Sequence, residues 1–101
     1  MPAFPGVDIA APNTDTPLFT NTSGGDLTIN VNLCNRNGLT ANIRLHVVPQ
    51  GGSASAANAI EWDRPVRGGG VLERWAITLG PNQFLVGRSS LASVNAVCWG
   101  A

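Results

Sequence analysis

Residues 27–36 constrain this chain more than any other stretch. Leu27, Ile29, Val31 and Leu33 alternate with Thr28, Asn30 and Asn32. A period of two over that length is a β-strand with one face in a core and the other turned outward. The outward face carries a hydroxyl and two amides where Lys or Glu would be usual. Uncharged amides solubilise poorly and hydrogen-bond well, which suits a strand covered by another chain. A plain solvated face that carries amides is the other reading.

The same period recurs between turn residues along most of the chain. A first short strand covers residues 17–21, closed by Thr22-Ser23-Gly24-Gly25. The strand above ends at Asn37-Gly38, a strong turn signal that predicts a hairpin with residues 41–48. There Ile43, Leu45 and Val47 point inward, and Arg44 and His46 point outward. Ser53 is placed to cap a single helical turn. Strands follow at 59–67, 71–79, 83–88 and 94–99, and Pro65 demotes the first of these to an edge. About seven short strands without a real helix make an all-β antiparallel sandwich or a small jelly-roll-like barrel. Residues 1–16 hold three prolines and show no periodicity. They read as an extended N-terminal arm ahead of a sandwich domain at 17–101.

Charge narrows the function. The 101 residues are one domain, with a charged content of 12% and a net charge of zero. That content is about half the usual share. All six basic residues are Arg, and Lys is absent. Interfaces favour Arg over Lys because the guanidinium is planar and weakly hydrated, so the surface reads as one occupied by neighbours. A neutral chain without a basic run argues against nucleic acid and against electrostatic tethering to a membrane. No apolar stretch approaches the roughly 20 residues of a membrane span. The first residues lack the pattern of a secretory signal, so synthesis and folding in a cytoplasm are expected. That origin favours free thiols at Cys34 and Cys98. Cys98 shares parity with Val94 and Ala96 and should point into the core. A Cys34–Cys98 bridge, the alternative, would close nearly the whole body.

Catalytic signals are sparse. His46 is the one histidine, and no nucleophile elbow accompanies it. Glu61 and Asp63 share a strand face by parity and could do acid–base work. Pairing with Arg64, Arg67 and Arg74 explains them more simply. One His and two distant Cys have no zinc-site spacing, and Gly68-Gly69-Gly70 follows no strand-to-helix pattern. No enzyme activity, cofactor or metal is expected.

A resemblance to a known family rests on five segments in order. They are Asn30-Val31-Asn32-Leu33-Cys34-Asn35-Arg36-Asn37-Gly38, then Ala41-Asn42-Ile43-Arg44-Leu45, then Ile60-Glu61-Trp62-Asp63, then Gly70-Val71-Leu72-Glu73-Arg74. Last comes Val86-Gly87-Arg88-Ser89-Ser90 with the closing Trp99-Gly100. Over residues 14–100 the chain resembles a small all-β family of tailed-bacteriophage virion structural proteins. Acidic residues expected after the aromatic-Gly pair in that family are not found here, where Ala101 follows. The resemblance implies a non-enzymatic role in the virion: capsid decoration or cement, head fibre, neck or tail component.

Two functions from different classes follow. One is a structural protein bound to other virion proteins, such as major capsid or neck and tail proteins. It would be a homo-oligomer, with a trimer favoured by analogy with shell-capping proteins. The other is a carbohydrate- or receptor-binding module that uses Trp62, Trp75 or Trp99 as platforms, although core packing is the commoner fate of a Trp. Interface positions are expected in the arm, at Phe4, Val7 and Ile9, and on one outward surface formed by Asn30, Asn32, Arg44 and His46.

Overall fold

Strand β3, Leu27–Asn35, keeps its alternation through its whole length in a computed structural model that describes residues 4–100. Ile29, Val31 and Leu33 are buried, and the residues between them are half-exposed. The other strands are β1 (Val7–Ile9), β2 (Thr16–Thr20), β4 (Ala41–Val48), β5 (Ala59–Val66), β6 (Val71–Leu79), β7 (Phe84–Ser89) and β8 (Val94–Gly100). A single 3-10 turn, Ala56–Asn58, precedes β5. The strands form two four-stranded antiparallel sheets, β1-β8-β3-β6 and β2-β7-β4-β5. They are packed as a sandwich, the architecture that short alternating strands dictate. Ile9, Ile29, Leu33, Ile43, Leu45, Leu79 and Leu85 fill the space between them. Each such side chain contributes roughly 1.5–3 kcal/mol by leaving water.

The expected arm is largely part of the sandwich. Val7–Ile9 pairs with β8, and the Phe4 amide donates to the Cys98 carbonyl at 2.8 Å. Ile9 is fully buried, and Phe4 stacks on Phe19 with ring centroids 4.4 Å apart. The domain therefore begins at residue 4 or before, and Phe4, Val7 and Ile9, expected as anchors on a neighbouring chain, pack against this chain's own core. The alternation of Val7, Asp8 and Ile9 spans three residues, too few to register as periodicity. Residues 1–3 of the arm lie outside the described residues.

The expected hairpin between β3 and β4 is absent. The two strands belong to opposite sheets, so Asn37-Gly38 lies in an arch between layers. Neither residue has the positive φ that a type I′ hairpin turn requires of both. A buried asparagine shapes the arch instead. Asn35 Nδ2 donates to the carbonyls of Leu39 (2.8 Å) and Val66 (2.9 Å), and its Oδ1 accepts from the Asn37 amide (2.9 Å). Asn21 repeats the device where β2 crosses to β3. Its Nδ2 reaches the carbonyls of Gly25 and Leu79 at 2.7 and 2.9 Å, and its Oδ1 accepts from the Ser23 amide at 3.0 Å. In both cases the side chain bonds to the residues two and four ahead and to the far side of the sandwich.

Candidate functional site

Both edge strands on one side of the sandwich carry a bulge of the same construction. In β6 the residues opposite Ile29 and Val31 are Ile77 and Arg74, so Trp75 and Ala76 together face Asn30. In β5 the residues opposite Ile43 and Leu45 are Arg64 and Glu61, so Trp62 and Asp63 together face Arg44. The second residue of each pair is left-handed, with φ of 58° at Ala76 and 50° at Asp63. A bulge shifts the side-chain parity by one. Each bulge thus turns a tryptophan to the outer face of its sheet. The residue before the bulge, Arg74 or Glu61, turns toward the gap between the sheets, where Arg74 Nη1 meets Glu61 Oε2 at 2.5 Å and the Ile60 carbonyl at 3.1 Å.

The outer face of the first sheet carries an aromatic pair. Trp75, 59% exposed, stands edge-on to Trp99 with centroids 5.4 Å apart. Glu73 supplies the charge beside them and is held on both oxygens, by Trp75 Nε1 (3.1 Å) and Asn32 Nδ2 (3.3 Å). Asn30 Oδ1 accepts the Ala76 amide N–H at 2.9 Å, locking the bulge. Thr28 and Thr78 share a hydrogen bond of 3.0 Å across the ladder. The outward amides expected from the sequence are present, engaged with neighbours in their own sheet.

The outer face of the second sheet is half-covered. Val48, Val86 and His46 have outward parity, yet all three are buried, with Gly52, Ser53 and Ala54 beside Val86 and Ser55 and Asn58 on His46. His46 Nδ1 lies 2.9 Å from the Ser55 carbonyl and 3.0 Å from Asn58 Oδ1. Asn58 Nδ2 donates to the Ser53 carbonyl, which fixes the amide so that its oxygen faces the ring. Two acceptors on one nitrogen place the imidazole hydrogen there. His46 therefore ties down this loop and is not an exposed interface residue as the parity suggested.

Beyond the loop the face is open and charged. Arg44 is clamped on Asp63 by two bonds, Nε to Oδ1 at 2.7 Å and Nη2 to Oδ2 at 3.2 Å. Its guanidinium lies 3.8 Å from the centroid of Trp62, which is 50% exposed. The Arg44 hydrogen bonds hold the Asp63 carboxyl below the usual carboxylate range, and the charge of Arg88 adds to this. Arg88, next to Arg44 on β7, lies 3.9 Å from Asp15.

The expected single surface of Asn30, Asn32, Arg44 and His46 does not form. Asn30 and Asn32 face out from one sheet and Arg44 and His46 from the other, on opposite sides of the molecule. Glu61 and Asp63 likewise do not share a face, because the bulge separates them. Among the described residues no three His, Cys, Asp or Glu side chains gather as a metal site would require. Both cysteines are free. Burial pushes the Cys98 thiol up to about 11, so it sits in the core as a neutral hydrophobe.

No family model, curated protein or solved structure matches the chain. The geometry of the two faces therefore carries the functional reading. Sequence parity missed the pairing of each tryptophan with a bulge. Its trace in β6 is the odd step of five residues between the core positions Leu72 and Ile77, which an unbroken alternation cannot span.

Proposed function

We propose that this chain is a non-enzymatic structural protein of a tailed-phage particle, which decorates or cements the capsid or joins particle components as a homo-oligomer. The observation that supports it is the tryptophan pair on the outer face of the first sheet, in which Trp75 is exposed. Two tryptophans stand together there, amides lie beside them, and both oxygens of the adjacent Glu73 carboxylate are hydrogen-bonded by local donors. Interface centres combine exposed aromatic side chains with few free charges. Trp75 is aimed outward by a bulge, although burying it would have added to the core.

Sedimentation of the purified protein at tens of micromolar tests this reading. The wild type should sediment as an oligomer, and Trp75→Glu as a monomer with an unchanged melting temperature. A wild type that is monomeric and does not attach to particles would overturn it. The exposed Trp75 ring beside Asn32 and Glu73 also suits a saccharide, which is the second reading. A glycan array probed with wild type and Trp75→Ala separates the two: sugar-dependent binding lost in the variant favours a receptor-binding module.

A further inference from the structure

The open half of the second sheet holds an arginine, Arg88, that no carboxylate among the described residues hydrogen-bonds. Arg44 and Arg88 are direct partners across the β4–β7 ladder, and like charges so placed repel. Arg44 is compensated by both oxygens of Asp63 and by the face of Trp62. Arg88 is not. Its nearest carboxylate, on Asp15, stands 3.9 Å away, beyond hydrogen-bond reach. Both of those side chains are partly exposed, so their attraction is screened and weak.

Beside Arg88 lies a cavity of about 220 Å³ lined by Asn13, Asn42, Arg44, Asp63 and Ser90. Ser90 Oγ accepts the Asn42 backbone N–H at 2.9 Å, which leaves the hydroxyl hydrogen of Ser90 to donate to a guest. The Asn13 and Asn42 side-chain amides can donate as well. We infer that this cavity binds an oxyanion, a carboxylate or a phosphate group, with Arg88 taking the charge and Arg44 serving as its rigid flank. The planar guanidinium of Arg88 can grip two oxygens at once. The clamp on Asp63 keeps Arg44 from swinging away, and an arriving anion replaces the distant Asp15 as the partner of Arg88.

The test is a titration of the isotopically labelled full chain with inorganic phosphate and, separately, with sodium acetate, at constant ionic strength. The readouts are the arginine Nε–H resonances and the backbone amides of Asn42 and Ser90. At least one anion should move the Arg88 resonance and both amides to saturation. Arg88→Gln should weaken that binding about tenfold, the loss expected for a charge-assisted bond. Asp15→Asn should tighten it by removing the competitor. Saturation by phosphate alone assigns a phosphoryl group as the ligand; saturation by acetate, with or without phosphate, assigns a carboxylate. No saturable response to either anion overturns the inference, as does an unchanged midpoint in Arg88→Gln. If Arg88→Gln fails to fold, an unchanged midpoint in Asp15→Asn overturns it.

Discussion

Gly68 lies so close to Gly38 that a Cβ added to it would come within 2.6 Å of the Gly38 carbonyl carbon. The β5–β6 turn and the β3–β4 arch are packed backbone to backbone at this point, with Asn37 O only 2.8 Å from the same position. No side-chain rotation can relieve contacts of that kind. Gly68→Ala should therefore destabilise the domain by about 1–3 kcal/mol, as overpacking does. In a domain of this size each kcal/mol lowers the melting temperature by roughly 4–8 °C, so calorimetry will read the effect directly. Gly25→Ala, where a Cβ meets nothing within 4 Å, is the matched control.

The buried amide of Asn35 supports the same arch. Asn35→Ala strips the partner from the Val66 carbonyl and from the Asn37 amide. Roughly 1–3 kcal/mol should be lost for each buried group left unbonded. Asn35→Asp should fare no better, because a carboxylate cannot donate to the two carbonyls. Urea midpoints of both variants check this, with an unchanged slope confirming that the same fold is being unfolded.

Ala76 holds its bulge at a cost. Its φ of 58° is unfavourable for a residue with a Cβ. Ala76→Gly should therefore leave stability equal or raise it by up to about 1 kcal/mol, although glycine gains more freedom on unfolding. A clear loss of stability in urea would show that the Ala76 methyl packs against something that compensates the strain.

Acid should act on the second sheet through Asp63. Its carboxyl is held below the ordinary value of 3.8 in the folded chain, chiefly by hydrogen bonds from Arg44. A lowered native value means that the contribution is complete above that ordinary value and is lost as pH falls through the native one. Comparing wild type with Asp63→Asn, the wild type should be modestly more stable near pH 6. The gap should close as pH falls below about 4. Both groups are open to solvent, so added salt should shrink the gap at neutral pH.

The sandwich itself was legible because its central strands keep a strict alternation: Ile29, Val31 and Leu33 are buried as their parity requires. Partnership between strands was not legible. Asn37-Gly38 marks a reversal of the chain but says nothing about which layer the next strand enters. The bulges were hidden for a related reason. An inserted residue leaves the period intact on either side, and a tryptophan is at home on either face. His46 shows the opposite case, where parity was right and exposure wrong. The sign lay in Val48 and Val86, apolar residues at outward positions, which need a cover.

The position of β8 bears on when the molecule can exist as a folded body. This strand lies between β1 and β3, and it is the last of the eight to leave the ribosome. Until Val94–Gly100 arrives, the first sheet is a lone three-residue strand and a separate β3–β6 ribbon, with Ile9 denied the partner beside it. Domains whose strands pair in chain order can begin to set while translation continues. Here the first sheet is completed only when the last of the eight strands joins β1 to β3.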